Sequence, residues 1–235
     1  GVALQEALTP VLKTLHQIPN QLQHLAQERE TTIRLNVLAA STLVTQALIS
    51  YKKDHDGLNF QLFQNSQCED ADITVFTREN FQIPAGNKDR YELFKERIFL
   101  AVPADSPYAS EESVRLKDFA HQDFISLSGS RSIRTICDRY CMQAGFVPHI
   151  IYESDSPDTV KNLIASGLGV GFWPHYTWST DSMEQIRLMP IAEPTCQRAI
   201  ILQLHRHARV QEAVCSFYAF LNRYLRQLKA AEKTG

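Results

Sequence analysis

The sequence predicts an α/β fold, because short segments with the two-residue period of strands alternate with longer segments that have the period of helices. In the first example, Ile33, Leu35 and Val37 alternate with polar residues and precede a helical stretch at 41–53. The same order returns in the second half of the chain. Such alternation indicates sheets of mainly parallel strands, with helices on their faces and ligands at the carboxyl ends of the strands.

The composition is that of a soluble globular protein, since the 235 residues are 44% hydrophobic and 21% charged. No apolar run approaches the roughly 20 residues that span a bilayer, and the first residues lack a signal-peptide pattern. We therefore expect a cytoplasmic protein with no membrane partner. The net charge of −2 and the lack of a basic stripe indicate that this polypeptide does not hold DNA by itself.

The first 30 residues carry an apolar seam with alternating spacings of four and three, which is typical of a helix that packs along another helix. The seam consists of Leu4, Leu8, Val11, Leu15, Ile18, Leu22 and Leu25. Pro10 and Pro19 each remove a backbone donor, so we expect kinked helical pieces. The seam predicts a partner helix in an oligomer, and packing on its own domain is the alternative. Because the chain begins inside the seam, we expect a further segment upstream.

Three more strands are predicted in the first half, at 58–63, 73–76 and 97–102, and the last of them ends at Pro103. The eight residues at 64–71 are too few for a parallel crossover, which needs about a dozen. Either this connection lacks the usual helix, or residues of a longer loop are missing from the sequence between 64 and 71.

The second half repeats the pattern, with strands at 124–127, 149–153 and 199–204 and a helix that ends at about residue 144. A long closing helix is predicted from its apolar face. This face consists of Val210, Val214, Phe217, Leu221, Leu225 and Leu228.

The stretch 158–174 predicts a helix, a glycine stop and a strand, in that order. Its glycines, Gly167, Gly169 and Gly171, partly match a dinucleotide-binding loop. Such a loop follows a strand and opens a helix, where free N–H groups meet the phosphates. Here the glycines follow a helix, whose carbonyl end repels phosphate, so we predict no nucleotide site.

Several motifs, in this order and spacing, resemble the linker helix and effector-binding domain of LysR-type transcriptional regulators, over about residues 1–230. They are the seam helix before Thr31-Thr-Ile-Arg-Leu35, the strand Asp72-Ile-Thr-Val75, the segment Phe99-Leu-Ala-Val-Pro-Ala-Asp-Ser-Pro107 and the stretch Val160-Lys-Asn-Leu-Ile-Ala-Ser-Gly-Leu-Gly-Val-Gly-Phe-Trp-Pro174.

The resemblance implies a linker helix at 1–30 and two Rossmann-like subdomains, as in type 2 periplasmic binding proteins, with a small effector between them. Subdomain I would comprise residues 31–103 and 204–229, and subdomain II residues 104–203. The hinges would lie near residues 103 and 202. The winged helix-turn-helix of the family is absent from this sequence, so DNA contacts are expected outside it.

Six residues are candidates for effector binding: Ser41, Thr42, Thr77, Ser128, Arg131 and Trp173. The first two open one helix, Ser128 and Arg131 stand at the start of another, and the remaining two follow from family position. Hydroxyl groups, helix N-termini and a guanidinium together favour an anion. Alternatively, Arg131 belongs to a solvated helix face. No cofactor and no metal is expected.

Effector binding is expected to rotate the subdomains about the hinges and to change the geometry of a homo-oligomer on DNA. A solute-binding protein, or an enzyme on the same fold, is the alternative function.

Cys137 and Cys141 stand one helical turn apart and are expected to be buried thiols, with a redox sensor as the alternative. His205 and His207 share one strand face but lack a third metal ligand at a recognisable spacing.

Overall fold

The computed structural model describes Gly1 and residues 31–64, 68–79, 89–129, 132–178 and 184–231. The helices are α1 (Ser41–Lys52), α2 (Ser132–Gln143), α3 (Pro157–Ala165) and α4 (Glu212–Ala231). The strands are β1 (Thr32–Val37), β2 (Asn59–Phe63), β3 (Ile73–Arg78), β4 (Arg90–Pro103), β5 (Val114–Arg115), β6 (Asp123–Leu127), β7 (His149–Ser154), β8 (Gly171–Pro174), β9 (Ile186–Met189), β10 (Ile191–Glu193) and β11 (Gln197–Leu204). Within these ranges, no helix is long and apolar enough to cross a membrane. The seam predicted between residues 4 and 25 lies outside them.

The largest sheet has the strand order β2-β1-β3-β11-β4-β8, and β9 also pairs with β4. β1 is parallel to β2 and β3, as the alternation of strands and helices predicts. β11 is antiparallel to β3 and β4, and β4 is antiparallel to β8 and β9. These antiparallel pairs depart from the predicted mainly parallel sheets, because β4 and β11 cross between the two halves of the molecule. β6 with β7, and β5 with β10, form two small parallel sheets.

The buried side chains form two separate hydrophobic cores. In the first, α1 and α4 pack on β1, β3 and β11. In the second, α2 and α3 pack on β6, β8 and the end of β4. We use subdomain I and subdomain II below for the parts of the chain that build the first and the second core.

The chain passes between the two cores twice, once within β4 and once at the start of β11. Phe94 belongs to the first core, whereas Ile98 belongs to the second. Cys196 belongs to the second core, whereas Ile200 belongs to the first. Both passages therefore lie a few residues before the hinges predicted at 103 and 202.

The prediction missed the first half of β4 and three short strands. Residues 90–96 of β4 include several charged side chains, which mask the strand pattern. β5, β9 and β10 have only two to four residues each, too few to show a period. The closing helix begins at Glu212 and not at Val210, which is 88% exposed in a preceding 3₁₀ turn.

The short connection after β2 returns over the sheet without a helix in its described residues, Gln64 and 68–71. The Cys68 N–H donates to the Asn36 Oδ1, and the Asn36 Nδ2 donates to the Cys68 carbonyl, both at 3.0 Å. Asn36 belongs to β1, which separates β2 from β3 in the sheet. The described part of the connection is thus tied to β1, the strand that it passes on the way to β3.

The glycines around β8 are packing positions and not a phosphate loop. A Cβ atom on Gly169 would lie 2.6 Å from the Asp123 carbonyl oxygen, and one on Gly171 would lie 2.8 Å from the Ile125 carbonyl oxygen. The chains approach closely because Val170 forms backbone hydrogen bonds to both Asp123 and Ile125. Close packing against β6 therefore explains why these two positions lack side chains.

Candidate functional site

A cleft of about 990 Å³ opens between the two subdomains, at the carboxyl ends of β1 and β3. One wall comes from subdomain I, with the segment that joins β1 to α1 and the end of β3. The other wall comes from subdomain II, with the starts of α2 and α3. Its size suits a small molecule, since ligand sites commonly enclose about 300–1,000 Å³.

The N-terminus of α1 faces this cleft and has no side-chain cap. Ala40 precedes the helix in the left-handed conformation, with φ 60°. Ser41 and Thr42 open the helix as predicted, but neither hydroxyl caps it, because Ala40 occupies the capping position. An uncapped helix start presents backbone N–H groups and a partial positive charge, which favour a negatively charged ligand.

Hydrogen bonds join the two walls directly. The Thr77 Oγ1 at the end of β3 lies 2.7 Å from the Ser132 Oγ at the start of α2. The Arg139 guanidinium on α2 forms an ion pair with the Glu79 carboxylate, which follows β3. These contacts join the two walls on the side of the cleft that β3 and α2 form.

A buried ion pair forms part of the cleft floor. The Arg198 Nε donates to the Glu96 Oε2 at 2.6 Å, and an Arg198 terminal nitrogen donates to the Thr177 Oγ1 at 2.6 Å. The other carboxylate oxygen, Glu96 Oε1, accepts from the N–H groups of Tyr176 and Thr177 at 2.8 and 2.7 Å. The Glu96 side chain is fully buried, and the side chain of Arg198 is 5% exposed.

Strand register explains how this pair reaches the cleft. Arg198 lies directly opposite Glu96, and Ile200 lies directly opposite Thr77. Alternate residues of a strand share one face, so Thr77, Glu96 and Arg198 all project from the same side of the sheet. The face is apolar farther along β11 and becomes polar where it enters the cleft.

The start of α3 forms the opposite rim. The Ser156 hydroxyl caps the helix by accepting from the Thr159 N–H at 3.4 Å. Asp158 and Lys161 form an ion pair of 2.7 Å on the first turn, but the Asp158 side chain is 82% exposed. Solvent weakens such a pair, so it contributes little to the stability of the helix.

The structure brings three of the six predicted residues to the cleft wall, namely Ser41, Thr42 and Thr77. Ser128 is half-buried on the loop after β6 and is not among the lining residues. Arg131 lies outside the described residues. Trp173 is fully buried in the core of subdomain II, so it does not line the cleft. Its ring packs edge to face on Trp178, which does line the cleft. The roles of these residues in binding stay predictions.

Sequence reasoning missed Arg198, Ser132 and Trp178 as residues of the cleft. The sequence does contain a signal for Arg198, because this charged residue stands at the beginning of the apolar run of β11. Glu96 is likewise a charged residue within β4. Only the register of the two strands places one charge opposite the other. Ser132 and Trp178 carry no pattern that separates them from neighbouring residues.

Three buried cysteines, Cys137, Cys141 and Cys196, have thiols that resist deprotonation. Burial raises the pKa of the Cys137 thiol well above its ordinary value, and raises the pKa values of Cys141 and Cys196 to about 12. All five cysteines are free thiols. In the described part of the chain, no group of three or more His, Cys, Asp or Glu residues is placed to hold a metal ion.

The two histidines after β11 lie at the opposite end of the sheet from the cleft. The His205 and His207 rings are stacked with centroids 5.8 Å apart. His205 contacts the Thr74 hydroxyl at 2.8 Å and lies 3.6 Å from the Asp89 carboxylate. Burial lowers the pKa of His205. The expectation of a shared strand face is wrong, because His207 lies in the 3₁₀ turn beyond the strand.

The model of the LysR substrate binding domain family matches residues 26–226. The chain belongs to this family. The resemblance to LysR-type regulators is thereby confirmed, and the cleft is the expected place for a small molecule in a LysR-type effector-binding domain.

Two relatives from Bacillus subtilis are transcriptional regulators by name. The uncharacterized HTH-type transcriptional regulator YybE is 27% identical over 188 residues, which is 77% of this chain and 63% of YybE. The transcriptional dual regulator GltC is 23% identical over 230 residues, which is 93% of this chain and 75% of GltC. The chain thus spans less than two thirds of YybE.

Solved structures of LysR-type domains have the same fold. The regulatory domain of CcmR from Synechocystis PCC6803, in complex with 2-PG, has a TM-score of 0.70 at 15% identity and covers 82% of this chain and 96% of its own. The effector binding domain of QuiR, in complex with shikimate, has a TM-score of 0.67 at 18% identity and covers 83% of this chain and 97% of its own. At these identities the likeness shows the fold alone.

Proposed function

We propose that this chain is the effector-sensing part of a LysR-type transcription factor and that it binds a small organic anion in the cleft. DNA contacts would be made by a segment outside this sequence, and the protein would act in the cytoplasm as a homo-oligomer. The observation that carries the proposal is the cleft between two separately packed subdomains, into which the uncapped start of α1 projects.

Several groups on the walls favour a negatively charged ligand. The N–H groups at the start of α1 and the hydroxyls of Ser41, Thr42 and Thr77 are hydrogen-bond donors for carboxylate or phosphate oxygens. Asp158 on the opposite rim is paired with Lys161, which reduces its repulsion of an anion. The complexes of QuiR with shikimate and of CcmR with 2-PG support a small ligand at this kind of site.

Binding would act on regulation by changing the relation between the subdomains. A ligand shifts an equilibrium only by its difference in affinity for the two states, and about 1–3 kcal/mol is typical for such coupling. The contact of Thr77 with Ser132 joins the two walls where a ligand would also meet them. A ligand that favours one cleft geometry would therefore pass its effect through β4 and β11 to the oligomer.

Calorimetric titration of a panel of small organic acids and their uncharged amides tests this proposal. At least one acid is expected to bind the wild-type chain. Thr77→Val should weaken this binding about three- to tenfold, which is the usual worth of one hydrogen bond. Thr74→Val is the matched control, because it removes an equally buried hydroxyl of β3 at the far end from the cleft. Absence of binding by every compound, charged or uncharged, would refute the proposal.

A redox sensor is not favoured by the geometry of the thiols. A sensor needs an accessible thiolate. Cys137 and Cys141 on α2, and Cys196 just before β11, are buried and have raised pKa values. This leaves ligand binding as the function that the described residues support best.

A further inference from the structure

We propose that Arg198 binds the negative group of the effector directly and that Glu96 is the residue that positions it. The inference rests on the proposed function and adds the residue that selects an anion over an uncharged analogue. Neither residue was a sequence-based candidate, and both lie where the chain passes between the subdomains.

The hydrogen bonds of Arg198 to described residues use only part of its guanidinium. A guanidinium has five N–H donors. Among the described residues, the Arg198 side chain donates to Glu96 and to Thr177, which uses two of the five. The residue is 4% exposed and lines the cleft, so the small part of Arg198 that stays accessible faces the space in which we propose that the ligand binds.

Glu96 fixes the orientation of this guanidinium. Its carboxylate is held by the backbone N–H groups of Tyr176 and Thr177, and it therefore cannot rotate freely. The Arg198 Nε is bound to the second carboxylate oxygen at 2.6 Å, which sets the plane of the guanidinium. A cation that is held in place before binding loses little conformational freedom when the ligand arrives.

The surroundings also explain why an anion would be selected. Glu96 already balances the charge of Arg198, so the pair is stable without a ligand. An uncharged amide or ester offers the guanidinium a single neutral carbonyl acceptor, and hydrogen bonds to a neutral acceptor are weaker than those to a charged one. A carboxylate or phosphate accepts from the guanidinium through charge-assisted hydrogen bonds. Thr77 and Ser132 stand beside this position on the two walls.

The test compares acids with their uncharged analogues on three variants by calorimetry. The probes are shikimate, benzoate, succinate and inorganic phosphate, with methyl shikimate, benzamide and succinamide as uncharged analogues. The main variant is the double substitution Glu96→Gln/Arg198→Gln, because Arg198→Gln alone would leave the Glu96 carboxylate buried without its partner. Arg97→Gln is the matched control, since Arg97 is an exposed arginine next to Glu96 on β4. Arg198→Lys is the second variant, because it keeps the charge but loses the planar fork.

In the wild type and in Arg97→Gln, at least one acid should bind about tenfold or more tightly than its uncharged analogue. In the double variant this preference should fall to about onefold, and in Arg198→Lys it should lie between these values. An uncharged analogue that binds the wild type as well as its acid would overturn the inference, and so would a double variant or an Arg198→Lys variant that keeps the full preference. Failure of all compounds to bind the wild type would instead refute the proposed function.

Discussion

Glu96 and Arg198 lie directly opposite each other on β4 and β11, and their side chains form a buried ion pair with a distance of 2.6 Å between Oε2 and Nε. The same carboxylate accepts from two N–H groups of the turn after β8. One pair of side chains therefore links the two strands that pass between the subdomains to the turn that follows β8. The strength of this link is open to measurement.

We expect Arg198→Met to lower the free energy of unfolding by about 3–5 kcal/mol, because it leaves a buried carboxylate without its counter-ion. Glu96→Gln should lower the free energy of unfolding by a similar amount, because it leaves the buried Arg198 guanidinium without its counter-ion. The double variant Glu96→Gln/Arg198→Met should lose clearly less than the sum of the two. Urea denaturation of all four proteins gives the coupling energy, and additive losses would show that the two side chains do not act as a pair.

The second prediction concerns the glycines before and within β8. Gly171→Ala should destabilise the protein by about 1–3 kcal/mol, because its Cβ would overlap the Ile125 carbonyl oxygen and the Ile164 side chain. Gly129→Ala is the matched control, since nothing lies within 4 Å of the added Cβ. Thermal unfolding of both variants measures the difference. Equal melting temperatures would contradict the close approach of β8 to β6.

Much of the fold was accessible from the sequence, because periodicity reports which side of an element is buried. The helix that precedes Gly167 and the strand that follows it were predicted in order, and Gly167 has the expected positive φ of 76°. The antiparallel course of β11 was not predicted, because the direction of a strand depends on partners far away in the chain. The opposition of Glu96 and Arg198, which are 102 residues apart, was inaccessible for the same reason.

The third prediction concerns pH. The pKa of His205 lies below its ordinary value of 6.5, because burial disfavours the imidazolium, so the unfolded chain binds this proton more readily than the folded one. The contribution of neutral His205 to the free energy of unfolding is therefore complete above about pH 6.5, and it is lost as the pH falls below that value. Unfolding in urea at about pH 7.5 and about pH 5.5 measures the loss.

His205→Gln should reduce this loss, whereas His121→Gln, at an exposed position, should leave it unchanged. The nearby charged and titratable groups, Asp72, Asp89 and His207, remain in both variants, so the comparison isolates His205. An unchanged pH dependence in His205→Gln would show that another group is responsible.

The fourth prediction concerns the thiols. A pKa of about 12 in place of 9.0 reduces the thiolate fraction of Cys141 and Cys196 at neutral pH about a thousandfold. Both should therefore resist a thiol reagent and hydrogen peroxide in the folded protein and react in denaturant. Mass spectrometry after brief labelling gives the modified positions. Rapid modification of either residue in the native state would revive the redox alternative.

The most direct test of the account is amide hydrogen exchange, read residue by residue, with and without an acid that binds. Ligand binding in the cleft should slow exchange at the start of α1, at the end of β3 and at the start of α2, and leave the segment around His205, at the far end of the sheet, unchanged. Slower exchange only at the far end, or no change at the cleft despite proven binding, would contradict the claim that the effector lies between the two subdomains.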